Sequence, residues 1–207
     1  MGKWIVIIIL IVAVGTAVVY LVMKMISFDK MYKEYSYLIN PQILEKKSAK
    51  MLTVAVYGDP ALNLGPAFSA LYNTFFKLKK YGNTLPASAP KVRWPMTLSE
   101  DTPKEEWKGI VAVPVSEDVS SLPDNKTGME IVLTEWEYGT VAEILHIGPY
   151  SDEMTTIEKL SKFISNNGYR VIGEHEEEYI RSYEMIPFLN NPDKYMTIIR
   201  FRIEKIK

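Results

Sequence analysis

The sequence contains no cysteine, which excludes disulfide bonds and thiolate chemistry and leaves the redox compartment open. It also lacks a basic excess, because 24 lysines and arginines stand against 25 aspartates and glutamates and give a formal net charge of −1. A protein that follows nucleic-acid phosphates normally carries a surplus of positive charge. We therefore do not expect nucleic acid as a partner.

Catalytic and cofactor motifs are missing as well. The sequence has no G-x-S-x-G elbow, no phosphate-binding loop and no dinucleotide fingerprint. Its two histidines, His146 and His175, do not stand in a metal-ligand spacing such as H-E-x-x-H. We expect no metal and no cofactor, and no residue is assigned a catalytic role from motifs.

The sequence does have one long apolar run at its N-terminus. Residues 4–23 read WIVIIILIVAVGTAVVYLVM, twenty residues without a charge, and Lys3 and Lys24 flank them. A helix of that length spans about 30 Å, which matches the hydrocarbon core of a bilayer. We expect one transmembrane helix over 4–23, with the lipid bilayer as its partner.

A cleaved signal peptide is the alternative for this run. Its apolar region would be only about 7–15 residues long and would end in an A-x-A-like site, which does not follow the run. A retained, single-pass anchor is therefore favoured. Lysines are slightly more frequent after the run than before it, and the positive-inside rule then predicts a cytoplasmic domain, by a margin of about one charge.

Residues 24–41 form an aromatic- and lysine-rich stretch that we interpret as a juxtamembrane connector, in which a short strand is also possible. Behind it, the chain repeats itself. Residues 42–60 align with 132–150 at a constant offset of 90, so that Ala49 meets Gly139 and Gly58 meets Gly148. Each copy shows a strand-like stretch, a small residue, a second β-rich stretch and a corner that contains glycine.

The segments after each corner also correspond. Apolar residues recur at helical spacing over 66–82 and 151–168, and both stretches end in glycine. Strand patterns follow in both copies: 91–96, 107–115, 177–186 and 195–203. The sequence predicts an α+β domain over 42–207, in which β-α-β-β repeats 42–115 and 129–207 are related by a pseudo-twofold. We expect antiparallel sheets with helices on one face; two unrelated domains are the alternative.

The corner Gly148-Pro149 has a clear physical reading. Gly148 can end a strand in a conformation that a side chain with a Cβ avoids. Pro149 fixes φ and cannot continue the strand ladder, so the chain turns into the next helix. Gly58-Asp59-Pro60 predicts a similar corner in the first copy.

Strand alternation puts Glu177 and Tyr179 on one side of the same strand. At an offset of 85, Tyr179 corresponds to Trp94, so the two rings are expected to flank the seam between the repeats, on the face away from the helices. A carboxylate between aromatic rings suits a cationic or flat aromatic ligand. The alternative is that Glu177 belongs to a solvated charge cluster over 173–179 and that the rings are ordinary core residues.

The second copy resembles a known family. Its sequence reads GTVAEILHIGPYSDEMTTIEKLSKFISNNGYRVIGEHEEEYIRS, and this resembles the GyrI-like small-molecule-binding domain, also called the AraC-type effector-binding domain. The Gly-Pro-Tyr corner and the E-x-Y motif at Glu177-Glu178-Tyr179 carry the resemblance, which extends over 42–207 and is weaker in the first copy. It implies a ligand groove between the repeats, where Glu177, Tyr179, Trp94 and Tyr150 contact lipophilic or cationic compounds.

Family members serve as effector modules of transcription factors, as stand-alone proteins including a gyrase inhibitor, and in some branches as hydrolases that use the groove's glutamate. This chain has no helix-turn-helix segment, and its expected anchor also counts against gene regulation. We expect a membrane-anchored module that binds a small hydrophobic or cationic molecule. A hydrolase that uses Glu177 with Tyr179 or His146 is one alternative; a protein-interaction adaptor with a vestigial groove and an unspecified protein partner is another.

Overall fold

A computed structural model describes residues 27–94, 102–182 and 190–207. The expected transmembrane segment 4–23 and the first residues of the connector lie outside these ranges. Within them, no helix has both the length and the apolarity that crossing a bilayer requires. The expected anchor therefore stays a prediction.

The chain divides into two compact units after Ile39. In the described part of the first unit, helix α1 covers 27–35 and a short 3₁₀ helix follows at Ser36–Leu38. The rings of Phe28 and Tyr32, four residues apart, lie on one side of α1 with their centroids 6.2 Å apart. The connector is thus helical over much of its length, where a short strand had been the alternative.

In its described residues, the second unit, Asn40–Lys207, contains a single antiparallel sheet of eight strands with two α-helices. Its elements are β1 (Gln42–Lys46), β2 (Ala49–Tyr57), α2 (Pro60–Lys77), β3 (Lys91–Trp94), β4 (Lys108–Pro114), β5 (Ile131–Trp136), β6 (Gly139–Ile147), α3 (Glu153–Asn166), β7 (Tyr169–Arg181) and β8 (Met196–Lys205). The strand order is β1-β6-β8-β7-β3-β4-β2-β5. The α+β prediction is confirmed, with one continuous sheet instead of several.

The strand order is symmetric. Exchanging β1 with β5, β2 with β6, β3 with β7 and β4 with β8 returns the same order reversed, as a pseudo-twofold repeat requires. The first strand of each repeat lies in the other half, since β1 pairs with β6 and β5 pairs with β2. Ala49 and Gly139, the small residues between the two β-rich stretches of each copy, begin a new strand. Each repeat is therefore β-β-α-β-β with an exchanged first strand.

The two glycine corners have the predicted backbone. Gly58 has φ +83° and Gly148 has φ +138°, values that side chains with a Cβ rarely adopt. After the first corner, Asp59 accepts a hydrogen bond from the Ala61 amide at 2.9 Å and caps α2. Because of this cap, α2 begins at Pro60, six residues before the start that hydrophobic periodicity indicated.

Both helices cover the same face of the sheet, as predicted. Helix α2 buries Leu71 and Phe75 against a cluster from the first repeat's strands, and α3 buries Leu160 and Ile164 against a cluster from the second. One cross-strand row joins the two clusters. It runs through Ile144, Ile199, Glu177, Val92, Val111 and Val54. Every residue in the row is apolar except Glu177, which lies between the two helix-covered clusters.

Candidate functional site

Glu177 lies at the seam of the two repeats, where β3 pairs with β7. Its register partner is Val92, which is also its equivalent at the offset of 85, so the pseudo-twofold axis passes close to this pair. The Glu177 side chain is buried, with 8% of the residue exposed. We expected this carboxylate on the face away from the helices, and that expectation is wrong, because its row continues into both helix-packed clusters.

Tyr179 lies two residues further along β7 on the same face, and its hydroxyl donates a hydrogen bond to Glu177 Oε2. Phe68 of α2 meets its ring edge-on at a centroid distance of 5.8 Å. Burial, followed by the neighbouring Glu177 carboxylate, raises the pKa of Tyr179 well above its ordinary value. Tyr179 therefore stays a neutral hydrogen-bond donor to Glu177.

Tyr150 reaches the same place from the other side. It directly follows the Gly148-Pro149 corner and begins the 3₁₀ helix Tyr150–Asp152. Its ring packs edge-on against Tyr179 at 5.7 Å and lies 5.2 Å from the ring of Tyr195, which precedes β8. Tyr150 is 39% exposed, so it forms the solvent side of this aromatic group. The corner thus places an aromatic ring at the seam.

Sequence reasoning missed Glu153, the first residue of α3. Only 7% of it is exposed, and its Oε1 atom has no hydrogen-bond partner among the described residues. Burial and then the charge of Glu177 raise the pKa of Glu153 to about 9, while the Thr197 hydroxyl opposes this rise. Glu153 is therefore protonated at neutral pH. Its position three residues after Tyr150, one helical turn away, was the available signal.

The two carboxylates lack a positive partner. Among the described residues, no lysine or arginine nitrogen lies within 4.0 Å of Glu153 or Glu177. His175 Nε2 is 3.6 Å from Glu177 Oε1, but burial lowers the pKa of His175, so this imidazole is neutral at pH 7. We call Glu153, Glu177, Tyr150, Tyr179 and Tyr195 the acidic–aromatic cluster.

Trp94 shares the face of Glu177 but packs elsewhere. It lies two residues beyond Val92 on β3, and its ring meets Trp107 edge-on at 5.6 Å. The ring also covers Gly109, where a Cβ would approach within 2.7 Å of Trp94 Cζ3. The structure thus groups Glu177, Tyr179 and Tyr150. Trp94 instead packs against Trp107 and Gly109, within the apolar cluster of the first repeat that Tyr179 also borders.

His146, a candidate partner of Glu177 in the hydrolase alternative, is engaged at the corner. Its Nδ1 is 2.9 Å from Thr156 Oγ1, and its Nε2 is 3.1 Å from the Pro149 carbonyl. A carbonyl oxygen only accepts, so Nε2 carries a proton. The ring therefore connects the end of β6 to α3.

Within the described ranges, no group of three or more potential metal ligands occurs.

The other face of the sheet carries a separate buried charge network. Arg200 is 1% exposed and donates to Glu143, Glu176 and Glu178. Lys91 forms an ion pair with Glu178. Burial by itself raises the pKa of Glu178, but the positive charges of Lys91 and Arg200 have the larger combined effect and hold that pKa below its usual value. Arg93 also pairs with Glu176, and Lys46 lies 3.7 Å from Glu143, so each carboxylate of this network has cationic partners, unlike those of the acidic–aromatic cluster.

A pocket of about 240 Å³ adjoins this network. Its lining residues are Arg93, Tyr138, Ile172, Gly173, Glu174, Glu176, Arg200 and Arg202. Arg93 donates to Glu176 at 2.9 Å, and its guanidinium carbon lies 3.9 Å from the centroid of the Trp136 ring. Arg93 and Arg200 are thus both paired with Glu176, whereas Arg202 donates to the Tyr138 carbonyl.

Solved structures with this fold include two proteins from Listeria innocua and the C-terminal domain of EcmrR. Two structures from Listeria innocua, one of a hydrolase and one of an uncharacterised conserved protein, each give a TM-score of 0.66. The hydrolase is 20% identical and aligns over 85% of this chain and 98% of its own. The uncharacterised protein is 23% identical and aligns over 86% and 98%.

The C-terminal domain of EcmrR is similar at a TM-score of 0.54, with 16% identity over 81% of this chain and 98% of that domain. The similarity to these three solved structures establishes the fold. No curated protein matches the sequence. The family model of the GyrI-like small molecule binding domain matches residues 39–204, well over half of the chain. The chain therefore belongs to the GyrI-like small-molecule-binding family.

Proposed function

We propose that this GyrI-like domain binds a lipophilic cation at the acidic–aromatic cluster, on the helix-bearing face of the sheet. The observation that carries the proposal is the burial of Glu153 and Glu177 next to each other with no lysine or arginine partner among the described residues. A buried carboxylate without a counter-ion is costly. A ligand that brings a positive charge removes that cost.

The rings of the cluster suit the remainder of such a ligand. Tyr150, Tyr179 and Tyr195 present aromatic faces and edges around the carboxylates, and cation–π contacts contribute about 0.5–2 kcal/mol each. Tyr150 is the exposed member and is the side chain that stacks on, or moves aside for, an entering molecule. The Tyr179 hydroxyl orients the Glu177 carboxylate toward it.

A membrane tether is the second part of the proposal. Residues 4–23 are uncharged and long enough to cross a bilayer as a helix. A domain held at the lipid surface meets lipophilic cations at a raised local concentration, because such compounds partition into membranes. Protease protection of the domain in sealed vesicles would report on which side it lies, and we propose the cytoplasmic side.

Ethidium, a flat aromatic monocation whose fluorescence increases when it leaves water, tests the binding proposal. We expect the full-length chain in a non-ionic detergent to bind it. Glu177→Gln should weaken binding at least tenfold, since a hydrogen-bonded charge is worth about 1.5–3 kcal/mol and 1.4 kcal/mol is tenfold. Glu174→Gln is the matched control. It removes the same charge from an exposed position on the same strand.

Equal affinity of the wild type and Glu177→Gln for ethidium would contradict the role given to Glu177. Failure of the wild type to bind any of a panel of lipophilic cations would contradict the function itself. That failure would favour the protein-interaction alternative. The mutual packing of Phe68, Tyr179 and Tyr150 also supports this alternative, because these rings fill part of the seam themselves.

A hydrolase is a second candidate, which one observation favours. Glu153 holds a proton at neutral pH beside Glu177, and a protonated carboxyl group next to a second carboxyl group is the arrangement of a general acid and a general base. Glu177 would then activate water and Glu153 would protonate the leaving group. Turnover of electrophilic lipophiles that is lost in both Glu153→Gln and Glu177→Gln would support this. A substrate panel without turnover would oppose it.

A further inference from the structure

We propose that Glu153 is a second ligand-contacting carboxylate that releases its proton to solvent when a cation enters the acidic–aromatic cluster, so that the site selects ligands by the number of positive charges they carry. This inference rests on the proposed function and adds to it the proton stoichiometry and the charge preference of the site.

The first support is an oxygen atom without a partner. Glu153 Oε1 is buried and makes no hydrogen bond to any described residue. Buried polar atoms are nearly always paired in folded proteins, so an unpaired oxygen of a buried carboxyl group indicates a group that arrives later. This carboxyl group lies at the cluster that carries Glu177, since the Thr197 hydroxyl next to it belongs to the residue that pairs with Tyr179 in the sheet.

The second support is the balance of forces on Glu153. As the first residue of α3 it lies at the positive end of the helix dipole, which favours the ionised carboxylate. Burial and the negative charge of Glu177 oppose ionisation and hold the proton. A cation that binds Glu177 cancels the repulsion and attracts a second negative charge. Binding of one cation therefore removes the repulsion by Glu177, and its attraction for the ionised carboxylate offsets the cost of burial.

The surrounding groups leave Glu153 as the one that changes its charge. Burial raises the pKa of Tyr150 and of Tyr179, and it lowers that of His175, so all three are neutral near pH 7. Among the described residues, the other titratable or charged side chains around the cluster are Asp152 in the preceding 3₁₀ helix, Arg181 on β7, Tyr195 before β8 and His146 on β6. The hydroxyl of Tyr195 donates a hydrogen bond to Asn190, and both ring nitrogens of His146 are hydrogen-bonded, to Thr156 and to the Pro149 carbonyl. Arg181 already has an interaction partner, and the Asp152 side chain is exposed to solvent.

Two measurements on the full-length wild type test this. Calorimetric titration with ethidium at pH 7.5, in phosphate and in Tris, gives the number of protons released, because the two buffers differ in their heat of protonation. We expect a value between one half and one. Ethidium affinity should increase between pH 6.5 and 8.5, by at most tenfold per unit, since the protonated form of Glu153 competes with the cation below pH 9.

Variants and a second probe assign the proton to Glu153. In Glu153→Gln we expect no proton release and an ethidium affinity that does not change with pH. Glu158→Gln, an exposed position on α3 paired with Lys162, should retain both effects. Propidium, which has the ethidium ring system and two positive charges, should bind the wild type more tightly than ethidium does. That preference should fall at least fivefold in Glu153→Gln.

The outcomes separate the inference from the function beneath it. If the wild type binds ethidium with no proton release and no pH dependence, the inference fails and the proposed function stands. If the pH dependence persists in Glu153→Gln, another group carries the proton and the inference fails. If the wild type binds neither dye at any pH, both fail.

Discussion

At the scale of single residues, the central feature is Glu153 at the start of α3, which lies beside the buried Glu177 of β7. Glu177 accepts a hydrogen bond from Tyr179, whereas Glu153 Oε1 has no hydrogen-bond partner among the described residues. Burial and then the charge of Glu177 raise the pKa of Glu153. The proton that Glu153 holds makes the stability of the fold depend on pH.

Glu153→Gln should remove part of that pH dependence. The pKa of Glu153 is about 9 in the fold and about 4.5 when it is exposed, so the folded chain holds a proton that the unfolded chain has lost between these values. This contribution is complete below pH 4.5, and it falls by at most about 1.4 kcal/mol per pH unit as pH increases toward 9. Chemical denaturation of both proteins at pH 7.0 and 8.5 measures the slopes.

We expect the wild type to lose stability over this interval and Glu153→Gln to lose less. The chosen interval lies above the ordinary pKa of histidine, so His175, whose pKa burial lowers further, contributes little to the slope and contributes equally in both proteins. Parallel slopes for the two proteins would show that Glu153 is ionised in the fold.

At the scale of elements, strands β3 and β4 are joined by a ring that lies over a glycine. Trp94 on β3 covers Gly109 on β4, and the adjacent Trp107 contacts the ring edge-on. A side chain at position 109 would occupy the space of the indole. This close packing argues that Trp94 mainly holds the strand pair together, although the family resemblance assigned it to the ligand.

Gly109→Ala tests this packing. A Cβ within 2.7 Å of Trp94 Cζ3 must displace the ring, and overpacking of this kind costs about 1–3 kcal/mol of unfolding free energy. In a Trp94→Leu background the same alanine should cost at least about 0.5 kcal/mol less, because the obstructing ring is gone. Denaturant unfolding of the four proteins gives the coupling. An additive cycle would mean that the indole does not constrain position 109.

At the scale of the whole molecule, two features bind the repeats together. Each repeat gives its first strand to the other half, so neither half completes its part of the sheet alone. On the face away from the helices, the Arg200 network spans strands of both repeats, since Arg93 of β3 and Arg200 of β8 share Glu176 of β7. Buried ion pairs on the opposite face of the sheet thus stabilise the seam that carries Glu177.

Arg200→Met should destabilise the protein by about 3–5 kcal/mol, because it leaves the carboxylates of Glu143, Glu176 and Glu178 buried with too few positive partners. Arg170→Met is the control. It breaks the exposed pair of Arg170 with Glu204, and such pairs contribute about 0–1 kcal/mol. Denaturant unfolding at pH 7 compares the two. Similar small losses for both variants would indicate that the network is hydrated.

Much of the architecture was readable from local patterns. Matching corners at Gly58 and Gly148 and the offset of 90 predicted a duplicated α+β domain, because a positive φ and a hydrophobic period are properties of short segments. The start of α2 was missed by six residues, since Asp59 caps it before the apolar pattern begins. The exchange of β1 and β5 was also missed, because strand patterns carry no information about which strand lies alongside.

The candidate site shows the same distinction between what short segments of sequence predict and what their packing decides. The sequence by itself determined the repeat, the position of the E-x-Y strand and three of the residues that meet at the seam: Glu177, Tyr179 and Tyr150. Only the tertiary structure decided which face they occupy, that Glu153 joins them, and that Trp94 packs against Trp107. The reason is physical. A side chain's direction follows from its own strand, but its burial, its proton affinity and its partners depend on segments far away in the chain that pack against it.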